Sequence, residues 1–251
     1  MTGVLLYDHP GSICSQMARL ALAEKGVAYS RRTIDIMATA EQFQPWYVAL
    51  NPKAVVPTLR IGDEIVTDTI RIVTRVDDEF DGPPLGLPDS ATVQGWLAAI
   101  MGLHYGVLLY SARLEADGTS PTIVERGRLL ARLKAERPEL AGLLAARIDG
   151  NARFQAILKD RDAVETHIGV ARDLVSRMNA SLQRHEFVAG DAYSLADCFA
   201  TAALARFRVH GFERWWRDGR NPCVAAYYAA MRARPSFAAA GVVDSGTERD
   251  M

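Results

Sequence analysis

The sequence predicts an α/β amino-terminal domain, residues 1–82, and an all-helical domain, residues 90–251, joined by a linker over 83–89. Three observations predict this. Residues 1–80 alternate strand-like and helix-like runs in the order β-α-β-α-β-β-α. The stretch "DGPPLGLPDS" (81–90) is rich in Pro and Gly, as inter-domain segments are. From Ser90 onward almost every segment carries helical spacing.

"GVLLY" (3–7) is a short apolar run that suits a buried strand. Residues 13–25 have helical spacing, with Ile13, Met17, Leu20 and Ala21 on one face. "VAYSRRTIDI" (27–36) suits a second strand. "TAEQFQPWYVAL" (39–50) suits a helix capped by Thr39, which Pro45 must kink or restart. In "PTLRIGDEIV" (57–66) two β runs flank Gly62-Asp63-Glu64, a hairpin signal. Residues 67–80 return to helix, with Ile72, Val76 and Phe80 four apart. The first strand-helix-strand unit implies parallel pairing, and the hairpin adds an antiparallel strand.

Beyond the linker, helices are expected over 90–113, 121–136, 138–148, 160–184, 193–212 and 221–232, with a frayed tail at 244–251. Thr122 and Glu125 have capping-box spacing. So do Ser194 and Asp197, and we read Asp197 there as the start of a core helix rather than as a catalytic acid.

The chain of 251 residues is long enough for a sizeable core, and 49 % hydrophobic with 24 % charged residues is an ordinary globular balance. A net charge of −1 argues against a general nucleic-acid binder. No apolar stretch is long enough to span a membrane, and the amino terminus lacks signal-peptide character, so no membrane partner and a cytoplasmic location are expected. Cys14, Cys198 and Cys223 are too far apart for a metal motif or a disulfide framework. Cys198 and Cys223 fall in helices and are expected to be core residues. No metal cluster, phosphate loop or Ser-His-Asp order is present.

"GSICSQ" (11–16) places Ser12 and Cys14 where the first helix begins. A serine there is an N-cap. A cysteine just inside a helix start is expected to have a lowered pKa and nucleophilic character, though a lone cysteine is more often inert core.

Taken with "SICSQMARLALAEKG" (12–26), "NPKAVVPTL" (51–59), "TDTIRIV" (67–73) and "FVAGDAYSLADC" (187–198), in this order and separation, the chain resembles the glutathione transferase family over almost its whole length. Within the family it resembles the zeta-like group. It is more similar still to the tetrachlorohydroquinone reductive dehalogenases, through S-I-C-S, "KAVVPTL", "AYY…MRAR.SF" (226–237) and the insert at 113–160. The resemblance implies a thioredoxin-like first domain and glutathione as co-substrate. It also implies a homodimer and a small hydrophobic electrophile as second substrate.

It further implies a glutathione site made of Ser12, Lys53, Val55, Val56, Pro57, Asp68 and Thr69. Val56-Pro57 is expected to be cis, exposing main chain for peptide pairing. The helix start at Asp68-Thr69 would take the γ-glutamyl carboxylate, with Asp68 toward the ammonium. The family usually has Glu or Gln followed by Ser here, so Asp-Thr is a departure. Other readings make Pro57 a strand-start proline, Asp68 a simple cap and Lys53 a solvated surface residue.

Ser12 and Cys14 are the catalytic candidates: Ser12 to hold the glutathione thiolate, Cys14 to take the sulfur from a glutathionylated ring and form a mixed disulfide. Acceptor-site candidates are His104, Tyr105, Tyr110, Arg206, His210 and Trp215, with Trp216 beside it. For each aromatic, core packing is the slightly preferred reading. The favoured chemistry is reductive dehalogenation of an aromatic or quinoid compound. The alternatives are cis-trans isomerisation, ether cleavage and conjugation. A non-catalytic glutathione-binding scaffold is the reading from another class.

Overall fold

A computed structural model describes residues 3–86 and 90–244. The amino-terminal elements follow the expected order. Strand β1 (Val4–Asp8) leads through helix α1 (Ile13–Glu24) to β2 (Ser30–Thr33). A 3-10 turn at Glu41–Phe43 and helix α2 (Pro45–Leu50) precede the hairpin β3 (Thr58–Ile61) and β4 (Glu64–Thr67), and α3 (Thr69–Glu79) follows. The sheet order is β2-β1-β3-β4. β1 pairs parallel with β2, as a strand-helix-strand crossover demands, and antiparallel with β3. Gly62 takes φ 59 in the two-residue turn that the hairpin requires. Leu6 and Leu59 face each other in β1 and β3, fully buried.

The helices after the linker are α4 (Ala91–Met101), α5 (Tyr105–Tyr110), α6 (Pro121–Glu136), α7 (Ala141–Lys159), α8 (Arg161–Leu182), α9 (Leu195–Val209), α10 (Arg214–Arg217), α11 (Pro222–Ala233) and α12 (Pro235–Ala239). By packing, the chain forms two compact units, Met1–Gly102 with Leu174–Met251, and Leu103–Asp173. The first has α1 at its centre, against α3, α9 and α12. The second is built on the α6–α7 hairpin, with Val107, Ile123, Leu158 and Val164 as its buried cluster.

Several boundaries depart from expectation. Strand 27–36 shrinks to four exposed residues, because Asp35 leaves the sheet and accepts from the amides of Met37, Ala38 and Thr39. Thr39 therefore caps nothing. The turn at Glu41 follows Ala40 in the left-handed region, and Pro45 restarts a helix as its first residue. The helix expected over 90–113 breaks after Met101, where His104 Nδ1 accepts from the Val107 amide and caps α5. The capping box at Thr122–Glu125 is not formed, since Pro121 opens α6 and Ser120 is its N-cap. The segment expected at 138–148 is a turn followed by a helix running on to Lys159. Two short helices, α10 and α12, were not anticipated. The box at Ser194–Asp197 is complete. Cys198 is fully buried, whereas Cys223 is partly exposed. In the linker, Leu85 is buried, donates to Asp77 and accepts from the Leu195 amide; 87–89, and the tail beyond Asp244, lie outside the described residues.

Candidate functional site

The turn between β1 and α1 carries Ser12. Ser12 has extended backbone angles and its Oγ accepts from the Ser15 amide at 3.3 Å, the geometry of an N-cap. A hydroxyl that accepts this bond keeps its own proton free to donate. Capping and thiolate binding are therefore compatible in one side chain. Arg206, on the buried α9, donates to the Gly11 carbonyl. The Gly11 amide donates to His9 Nδ1 at 3.2 Å, which puts the proton of a neutral imidazole on Nε2. Burial pulls the His9 pKa below its usual range, against the pull of Asp35 and Asp8.

Cys14 lies two residues on, in the first turn of α1. The sequence leads one to expect a lowered pKa. The structure corrects this: burial pushes the Cys14 thiol up. The Thr69 hydroxyl works the other way, the Asp68 charge raises it further, and Arg206 lowers it. Desolvation of the thiolate outweighs the helix start here. Cys14 is therefore a thiol at rest, close enough to the start of α3 to feel Thr69 and Asp68.

That opening is strained. Asp68 has φ 77, unusual for a residue with a side chain, and its Oδ1 accepts from the amides of Ile70 at 3.1 Å and Arg71 at 3.4 Å. Such a conformation costs of the order of 1–3 kcal/mol and persists only where its surroundings hold it. The capping role of Asp68 is thus occupied, while Thr69, buried next to it, begins the helix.

The Val56-Pro57 peptide bond is cis. The loop before it is braced by two residues that the sequence did not single out. Tyr47 Oη donates to the Val55 carbonyl at 2.7 Å and lies 3.0 Å from Thr58 Oγ1. Asn51 Nδ2 donates to the same two oxygens at 2.9 and 3.0 Å. Burial raises the Tyr47 pKa to about 12, so the phenol stays a donor. Among the described residues no hydrogen bond reaches the Val56 N–H or C=O. Val55 and Lys53 are exposed on this loop.

The remaining candidates are placed as follows. Trp215 stacks on Phe212 at 4.5 Å and meets Phe207 edge-on, in the core. Trp216 is buried against Tyr228. His210 caps the end of α9. His104, besides its capping bond, stacks on Phe154 at 5.0 Å, and Tyr110 meets the same ring edge-on. Tyr105 is half-buried at the start of α5. Within this group Arg206 is tied to the Ser12 turn by its bond to the Gly11 carbonyl. A cavity of about 710 Å³ opens between α4 and α8, lined by Trp96, Arg177, Ser181, Arg184 and His185 among others; no sequence-predicted site residue lines it. No single helix among the described residues is long and apolar enough to cross a membrane, and no group of metal-binding side chains occurs among them.

Residues 11–79 match the family model "Glutathione S-transferase, N-terminal domain". The chain is 34 % identical over 245 residues, covering 97 % of each chain, to tetrachloro-p-hydroquinone reductive dehalogenase of Sphingobium chlorophenolicum. It is 28 % identical to glutathione S-transferase TCHQD of Arabidopsis thaliana, over 92 % of this chain and 87 % of that one. In fold it is similar to the β-etherase LigF of Sphingobium sp. strain SYK-6, with a TM-score of 0.73 at 19 % identity, covering 96 % of this chain and 98 % of that one. On a match of this extent, anchored on the segments around Ser12, Pro57 and Asp68, the chain belongs to the glutathione transferase family.

Proposed function

We propose that this enzyme binds glutathione at Ser12, Val56 and Thr69 and uses it to dehalogenate a halogenated aromatic or quinoid compound. The observation that carries the reading is the placement of Cys14, two residues after Ser12 in the first turn of α1. The open N–H and C=O of Val56 suit the peptide of glutathione. Thr69, at the positive end of α3, suits its γ-glutamyl carboxylate. Asp68 is near enough for the ammonium, and Lys53 and Val55 border the same loop. Ser12 donates its free proton to the glutathione sulfur and favours the thiolate.

The glutathione thiolate forms a C–S bond at the halogenated carbon of the quinoid ring, and halide leaves. Cys14, ionised at that moment, attacks the thioether sulfur. The S–S bond forms, the C–S bond breaks, and the ring carbon takes a proton. A second glutathione thiolate attacks the mixed disulfide, freeing Cys14 and leaving oxidised glutathione. Two glutathiones are oxidised for each halogen replaced by hydrogen.

We place glutathione recognition in residues 1–82 and acceptor binding in 90–251, with Arg206 on the acceptor side, and infer a cytoplasmic homodimer, as is usual for the family. The test is incubation with glutathione and a halogenated hydroquinone, followed by intact-mass analysis. A glutathione adduct that disappears in Cys14→Ala supports the reductive cycle. Turnover that survives Cys14→Ala and is lost in Ser12→Ala replaces it with conjugation, ether cleavage or isomerisation. No turnover with any electrophile, despite glutathione binding, replaces it with a scaffold.

A further inference from the structure

We propose that Gln16 and Arg19 are positioning residues that couple the carboxy-terminal segment 240–244 to the turn carrying Ser12 and Cys14, so that docking of this segment is a condition for the turn's working shape. Its catalytic half rests on the glutathione reading above.

Both side chains are buried on α1, three residues apart, and each faces the turn on one side and the segment on the other. Arg19 Nη2 donates to the Pro10 carbonyl at 3.1 Å and to the Gly241 carbonyl at 3.3 Å. Its Nε donates to the Ala240 carbonyl at 2.5 Å. Its Nη1 donates to Asp8 and, at 3.5 Å, to the His9 carbonyl. A guanidinium has five N–H donors, and all five are used. Gln16 repeats the arrangement: Nε2 donates to the Pro10 carbonyl at 3.5 Å while Oε1 accepts from the Val243 amide at 3.1 Å.

With Arg206 on Gly11, three consecutive turn carbonyls, at 9, 10 and 11, each accept from a buried side chain, and the His9 carbonyl also accepts from the Ser12 amide at 3.1 Å. The segment has its own lock at Asp244. Arg208 Nη1 donates to Asp244 Oδ2 at 2.8 Å and to its carbonyl at 3.0 Å, and Arg232 Nε donates to Oδ2 at 2.5 Å. Asp244 has no hydrogen bond with the turn among the described residues. If the lock opens, Arg19 loses two of its five acceptors and Gln16 loses the amide that its Oε1 accepts from. A buried guanidinium with unmet donors re-aims or admits water, and the Pro10 carbonyl loses its fixed donors.

Asp244→Ala in the full chain tests this, with Asp244→Glu as the conservative control. Two readouts are taken. The first needs no glutathione: the rate at which iodoacetamide alkylates Cys14, followed by peptide mass. We expect Asp244→Ala, which removes two charge-assisted bonds, to speed it about tenfold, and Asp244→Glu to restore the wild-type rate. The second is the pH profile of kcat/KM for glutathione: its acid limb moves to higher pH in Asp244→Ala, because a loosened Ser12 holds the thiolate less well. Wild-type alkylation and an unmoved profile, with only a lower melting temperature, would overturn the proposal and leave the segment a packing element. If the wild-type protein shows no glutathione turnover, the functional reading fails while the alkylation readout still decides the coupling.

Discussion

Ser12 Oγ accepts a hydrogen bond from the Ser15 amide while its own proton stays available to the space outside the helix. This gives two roles that substitution separates. Replacing an N-cap serine by alanine costs about 1 kcal/mol, by glycine only a few tenths. Loss of a donor to a reacting anion costs about a hundredfold in rate. Ser12→Gly is therefore expected to keep nearly full stability in urea unfolding yet lose about a hundredfold in glutathione turnover. A glycine variant with wild-type turnover would leave Ser12 as a cap only.

Cys14 and the two residues that open α3 give a prediction of opposite signs. The Thr69 hydroxyl favours the Cys14 thiolate and the Asp68 charge opposes it, both against the larger effect of burial. Thr69→Val should therefore raise the Cys14 pKa and slow its alkylation at neutral pH. Asp68→Asn should lower it and speed the reaction several-fold. The rate measured against pH, with no substrate present, checks both. Equal effects in the two variants would mean that they act through access to the thiol rather than through charge.

The two halves of the chain differ in how much their sequence reveals. The hairpin is legible because Gly62 and the alternation around it are local chemistry. The Ser194–Asp197 box is legible because both partners lie within one turn. The break after Met101 is not, since it depends on His104 Nδ1 finding the Val107 amide. The site divides in the same way. Ser12, Pro57 and Thr69 stand in motifs. Arg19 and Gln16 read only as polar residues in an apolar helix, because the partners that give them a purpose include carbonyls and an amide more than two hundred residues away. The Cys14 pKa departs from what the helix start alone implies for a related reason. The helix start is visible in the sequence; the atoms that bury the sulfur come from elsewhere in the fold.

Glu24 sits in α1 and accepts from Arg234 through both oxygens, at 2.8 and 2.6 Å, and from Ser236. Burial pushes its pKa up, but these bonds prevail and the group lies below its ordinary 4.5. A carboxylate whose folded pKa is depressed stabilises the fold above its unfolded pKa, and that contribution fades as pH falls through the folded value. Glu24→Gln is expected to cost about 2 kcal/mol at pH 7 and to flatten the loss of stability below pH 4.5. Urea midpoints measured from pH 7 down to pH 3 check this. Parallel wild-type and variant curves would show that the pair adds nothing that depends on ionisation.

Asp197 makes the strongest claim about structure against catalysis. Its carboxylate is fully buried and accepts from the Val188 amide at 3.0 Å, the Ser194 amide at 2.9 Å, Ser194 Oγ at 3.1 Å and Tyr227 Oη at 2.8 Å. It therefore ties the loop at 188 to the start of α9 and to α11. Burial raises its pKa while these donors act against that rise. Asp197→Ala strands four donors in the interior and should cost about 3–5 kcal/mol. Asp197→Asn offers a carbonyl oxygen to some of the donors but turns N–H groups toward the others, so it should fall between the two. Because α9 also carries Arg206, a destabilised variant will lose activity on warming. At low temperature, where it remains folded, its KM for glutathione and the pH profile of kcat/KM should match the wild type. A changed profile in the folded variant would give Asp197 a part in the chemistry, against its reading as the brace of α9.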